Sequence, residues 1–188
     1  MTDDPWTVVK TRHGLAADEV ISALQKEIRR GHVDNAALLA YEMISSSAEL
    51  EDMLWRRLLV ISVEDVGWGD LNAPSLVHDL CQIAERFERA GSPPDRGLFA
   101  IHAVRYLATR LKDRSSEELY SWVQRVVDGG QILPEIPDYA LDRHTARGRA
   151  MGRGRQHYYE HAARLEPELE GRDITYRDRL LKLIASDD

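Results

Sequence analysis

Residues 50–70, LEDMLWRRLLVISVEDVGWGD, constrain the fold more than any other part of this chain. Leu50, Leu54, Leu58 and Ile61 recur at steps of four, four and three, with Leu59 and Val63 beside them. That apolar face is wider than a helix lying on a surface needs, so the helix belongs in the middle of a bundle. Its end is unusual. Glu64 and Asp65 stand where cations would suit the helix dipole, and Gly67, Trp68 and Gly69 follow at once.

The flanking sequence supplies the neighbours. From Asp18 the pattern Val20, Ile21, Leu24, Ile28 is amphipathic and stops at Gly31. Asp34 is placed to cap a second helix through Ala37, Leu38, Tyr41 and Ile44. Ser46 and Glu49 have capping-box spacing, which starts the central helix near Ala48. Pro74 opens a helix predicted over 74–89, and AGSPPDRG breaks the chain after it. Leu98, Ile101, Val104, Leu107 and Leu111 make a strongly apolar helix, and Ser115 with Glu118 starts another through Leu119, Trp122, Val123 and Val126 that Gly129 closes. The expected fold is therefore all-α: a bundle of about six helices over 17–130, preceded by an arm over 1–16. QILPEIP marks the boundary to an appended helical C-terminal portion over 134–188, with helices predicted over 138–151 and 156–169 and a last one capped near Asp173 or Thr175.

Length and composition narrow the function classes. With 188 residues, 43% hydrophobic and 30% charged, the chain suits one domain with a substantial core. No apolar run approaches the roughly 18 residues of a membrane span, and MTDDPW is no export signal, so no membrane partner and a cytoplasmic location are expected. Cys81 is alone and fits a small core residue better than a nucleophile. The net charge of −7 excludes indiscriminate binding of nucleic acid over the whole surface.

The segments SALQKEIRRG, DNAALLAYEMI, WRRLLVISVEDVGWGD and GLFAIHAVRYLATRLK resemble the C-terminal helical region of the replication-associated recombination protein A family, also called MgsA, which are clamp-loader-like AAA+ ATPases. The family's arginine pair leading into an acidic-acidic-aliphatic-glycine stretch is matched by Arg56, Arg57, Glu64, Asp65, Val66 and Gly67. The resemblance covers about residues 20–130 and implies an all-helical, self-associating region, commonly tetrameric, next to a DNA-dependent ATPase. No GxxxxGK[ST] loop is present, so the expectation is a relative of the oligomerising part with a different C-terminal portion from Pro134 onward. A homo-oligomer, tetramer or dimer, linked to DNA replication or repair, is expected from the resemblance alone, with no cofactor and no enzymatic role of its own.

The second candidate is the segment RHTARGRAMGRGR, residues 143–155, which holds five arginines and no acid and leaves −12 for the rest of the chain. One reading is an anion site for a nucleotide or nucleic-acid backbone, or for the phosphorylated substrate of an enzyme, built from Arg143, His144, Arg147, Arg149, Arg153, Arg155 and His157. The other is that these arginines pair with acids within the chain or across a subunit interface, Glu64 and Asp65 included. His157 and His161 have a zinc-compatible spacing, but HYYEH is not HExxH, and a surface histidine pair is the expectation. Asp142 stands too near His144 in sequence to face it on a helix, and no serine or cysteine lies in a nucleophile motif. Glu64, Asp65 and Asp70 suit a structural turn and arginine pairing better than a cation. Trp55 and Trp122 read as core by helical phase, and Trp68 reads equally as core or as an interface anchor.

Overall fold

The central stretch forms helix α3 (Ala48–Ile61), and Leu50, Leu54, Trp55, Leu58 and Ile61 are buried along it. It starts at Ala48 as expected, but the capping side chain is Ser47, whose Oγ accepts from the Leu50 N–H at 3.2 Å. Ser46 instead closes the preceding helix, donating to the Glu42 carbonyl and accepting from the Arg12 N–H. These features come from a computed structural model, which describes residues 5–87 and 94–186 and divides the chain into two units, Met1–Gly129 and Gly130–Asp188.

In the first unit α3 touches α1 (Ala17–Arg30), α2 (Val33–Ser46), α4 (Ala73–Ala84) and α5 (Pro94–Thr109), the central position that its wide apolar face requires. Gly31 stops α1 in the left-handed region at φ 77°, with its own N–H on the Ile28 carbonyl and the His32 N–H on the Glu27 carbonyl. This is the Schellman arrangement, in which glycine carries no Cβ penalty. Asp34 lies inside the first turn of α2 rather than at its cap, which is His32. Helix α4 ends at Ala84, short of the predicted Arg89; residues 88–93, and with them part of AGSPPDRG, lie outside the described residues.

Helix α5 departs from its predicted phase. Ala100, Ala103, Val104, Leu107 and Ala108 are buried, while Leu98 and Leu111 are exposed. Alanine at facing positions lets α5 lie close against α2, where Ala36 and Ala40 are buried too. Leu111 shares the phase of Val104 but falls beyond the end of the helix. A buried ion pair that the sequence does not announce ties three elements together. Arg96 Nε donates to Glu51 Oε1 at 2.8 Å, and its Nη1 donates to the Ala84 and Phe87 carbonyls at 2.6 and 3.0 Å. The arm places Trp6 and Val9 against the core through a 3-10 turn (Pro5–Val8) and an isolated bridge between Lys10 and Ala16.

The first unit ends with α6 (Ser115–Asp128), and the second contains a 3-10 turn (Asp138–Ala140), α7 (Ala146–Ala150), α8 (Arg155–His157) running into a π-type turn (Tyr158–Ala162), and α9 (Thr175–Ser186). The expected helices over 138–151 and 156–169 are corrected to these short pieces. Thr145 caps α7 only after a turn built on Asp142, Gly152 adopts φ 74° after α7, and Pro167 lacks the N–H that a continuing helix needs. Helix α9 begins at Thr175, whose N–H is received by Asp173 Oδ1 at 2.8 Å. The described residues form helices and turns without a strand, so the fold class is all-α. None of their helices is long and apolar enough to cross a membrane.

Candidate functional site

After Ile61 the backbone widens into a π-type turn (Ser62–Val66) and a 3-10 turn (Gly67–Gly69). The wider turn rotates the chain so that Asp65 and Val66 are both buried. Asp65 accepts from Gln25 Nε2 at 3.0 Å, from Arg114 Nη1 at 3.0 Å and from Arg29 Nε. Glu64, partly exposed, receives Arg29 Nη2 at 3.3 Å and Arg114 Nη1 at 3.4 Å. Arg57 donates to Gln25 Oε1, which orients the amide toward Asp65, whereas Arg56 points to solvent. The arginines at this turn thus come from α1 and from the residue before α6. The segment from 110 to 114 crosses over both glycines: a Cβ on Gly67 or Gly69 would stand 2.4 Å from the Asp113 or Leu111 carbonyl oxygen. Asp70 accepts from the Tyr106 hydroxyl at 2.6 Å, which holds its carboxyl below the usual range and raises the Tyr106 phenol, already pushed up by burial.

Above this turn lies an apolar groove in two halves that share Val63 and Ser116. One half, about 470 Å³, is lined by Leu59, Val60, Val63 and Tyr120. The other includes Trp68 and Leu71. Trp68 is 68% exposed. Helix α6 carries Leu119, Trp122, Val123 and Val126 at helical spacing; Val126 is buried and the other three are exposed, and within its unit the helix packs mainly through its start on the π-type turn. Trp122 is 53% exposed, which corrects the expectation that it sits in the core. Helical phase identifies the apolar stripe but not whether another helix covers it. Leu119 and Tyr120 are more than half exposed on the same helix.

The arginine segment is largely occupied with its own backbone. Arg153 makes two hydrogen bonds to the Asp138 carboxylate, at 2.7 and 2.8 Å, and donates to the Asp138 and Leu141 carbonyls. Arg149 donates to the Arg143 and His144 carbonyls at 3.3 and 3.2 Å. The Arg143 guanidinium lies 5.7 Å from the Tyr158 ring centre, with its Nε buried and unpartnered. His144 Nδ1 is 2.9 Å from Asp142 Oδ2, a pairing made possible by a turn rather than a helix at these positions. The Arg147 and Arg155 side chains carry no hydrogen bond or ion pair among the described residues. The His157 and His161 rings are 4.9 Å apart, but no group of three or more His, Cys, Asp or Glu among the described residues is arranged for a metal.

The acids of this unit predict its pH response. Arg153 holds the Asp138 carboxyl low, and the His144 side chain does the same for Asp142. Depressed carboxyls stabilise the folded form at neutral pH, and that stabilisation is lost as the pH falls below the unfolded value of about 3.9 and through their folded values. Amide exchange across 138–149 is expected to accelerate there, and unchanged protection at low pH would show that these pairs contribute little.

The family described as MgsA AAA+ ATPase C terminal matches residues 31–168. The chain belongs to this family. It is also 33% identical to the replication-associated recombination protein A of Bacillus subtilis (strain 168) over 150 residues, which is 80% of this chain and 34% of that protein. The chain therefore spans about a third of the length of the curated relative it matches. The family match runs well past Pro134 and takes in the whole arginine segment, so the expectation that the C-terminal portion differs from the family is corrected. The two structural units divide at Gly129 and Gly130, ahead of QILPEIP and inside the family region.

Proposed function

We propose that this chain is a self-associating module of the MgsA C-terminal family, joining copies of itself through the uncovered apolar surface of α6 and the adjoining groove. The observation that carries this reading is the amphipathic α6, whose Leu119, Tyr120, Trp122 and Val123 are exposed on a helix with strong apolar–polar segregation. By helical spacing Tyr120 and Ser116 connect that stripe to the groove beside Val60 and Val63. Large exposed aromatics around an apolar centre are the anchors that dominate subunit interfaces. The role requires no chemistry from the module itself. Its tie to replication-associated recombination rests on the name of the relative that it matches over 150 residues.

The test is the mass of the full chain in solution, by light scattering, against a monomer of 21.4 kDa. A dimer or tetramer is expected. Replacing both Leu119 and Trp122 with glutamate is expected to give monomer with unchanged helicity, since neither side chain is needed to fill the core. A monomeric unsubstituted chain at tens of micromolar would overturn the reading.

A further inference from the structure

Once the arginines of 143–155 are sorted by what their side chains hold, Arg147 and Arg155 are left without a partner among the described residues, and Arg155 lines a pocket in the second unit. Arg149 and Arg153 are committed to carbonyls and to Asp138, and Arg143 lies over Tyr158. Arg155 is committed to nothing among the described residues, and it lines a pocket of about 500 Å³ together with Gly152, Gly154, His157 and His161. His157 has a buried Nδ1 without a partner. The carboxylate on the wall, Glu160, accepts from Gln156 Nε2 at 3.0 Å. The two glycines leave open space where a Cβ would stand, so the backbone side of the pocket admits a ligand.

We propose that this pocket binds a terminal phosphate, the monoester carried by a nucleotide or by the end of a nucleic-acid strand. Guanidinium and imidazole groups converging on one concavity suit a compact anion with several acceptor oxygens. A monoester carries about −1.5 to −2 charges at neutral pH and three such oxygens. A backbone diester carries one charge per phosphate and is held by a track of cations along a groove. Here one uncommitted guanidinium and two histidines line a single pocket rather than a track along a groove, which favours an end over a backbone. The site is independent of the α6 surface, because it lies wholly within the other unit.

Fluorescence anisotropy with the full chain tests this, using a single-stranded oligonucleotide with a 5′-phosphate, the same strand with a 5′-hydroxyl, and adenosine monophosphate as a direct calorimetric titrant. The phosphorylated strand is expected to bind at least about tenfold more tightly than the hydroxyl strand, a difference on the scale of one or two charge-assisted hydrogen bonds. Binding of the monophosphate without any strand binding would assign the source as a free nucleotide and support the site equally. Arg155→Ala combined with His161→Ala should remove about tenfold or more of the affinity, on the same scale. Arg125→Ala, which deletes the same charge from α6, should not. Measurable and equal affinity for the two strand ends, absence of binding by every probe, or undiminished binding in the Arg155→Ala, His161→Ala variant would each overturn the proposal, and none of these results would alter the oligomeric state measured for the α6 variants.

Discussion

Replacing Asp65 with alanine is expected to destabilise the first unit by about 3–5 kcal/mol, because it strips the acceptor from a buried ion network and leaves its cations in place. Arg29, Arg114 and the Gln25 amide all converge on that one carboxylate, from α1 and from the entry to α6. The loss corresponds to a fall in Tm of roughly 10 °C or more for a unit of this size. Asp65→Asn, which keeps one acceptor oxygen and the volume, should lose less. Glu64→Ala is the control: Glu64 faces the same two arginines at 3.3 and 3.4 Å but is partly exposed, so it should change stability by about 1 kcal/mol or less. Thermal melts of the three variants read this directly, and equal losses at Glu64 and Asp65 would show that burial of Asp65 does not govern the turn. The same substitution should weaken self-association indirectly, since α6 is anchored through Arg114 and the π-type turn.

Much of this arrangement is legible from residue order. The period of Leu50, Leu54, Leu58 and Ile61 places α3 at the centre, and Gly31 and Gly129 close their helices where they stand, because these signals are local and act on the backbone they belong to. Tertiary choices are less visible. The cap of α3 falls on Ser47 rather than Ser46, since Ser46 is drawn to Glu42 and the arm. The phase of α5 is set by close alanine packing against α2, which outweighs the bulk of Leu98. The acidic end of α3 marks itself as unusual, but nothing near it in the chain names Arg29 and Arg114 as its partners, because they lie 36 and 49 residues away in sequence. Trp122 shows the same gap from the other side. Its stripe is plain in the sequence, whereas sequence does not separate the exposed Trp122 from the buried Val126 on it. The arginine segment stands out by composition, yet composition does not separate Arg153, bound to Asp138, from Arg155, bound to nothing among the described residues.

That separation depends on one close backbone approach, and Gly148→Ala is expected to abolish it. A Cβ at Gly148 would stand 1.9 Å from the Asp142 carbonyl oxygen and 2.7 Å from the Asp142 nitrogen, so the two segments of backbone must part. Parting them breaks the cap from the Gly148 N–H to Thr145 Oγ1 at 3.0 Å and the bond from the Thr145 hydroxyl to the Asp142 carbonyl at 3.1 Å, and it displaces the carbonyls that Arg149 and Arg153 hold. The cost should reach about 3 kcal/mol or more, at the upper end for a forced insertion. Gly152→Ala meets no atom but sits at φ 74°, so about 1–2 kcal/mol is expected from the left-handed backbone alone. Gly154→Ala, with open space and an extended backbone, should be close to neutral. Hydrogen exchange read separately over the two units distinguishes the three: Gly148→Ala should release the amides of 142–153 and leave those of α1 to α5 protected. If all three variants behave alike, the arginines are not held by this turn, and the separation of Arg155 from Arg149 and Arg153 fails with it.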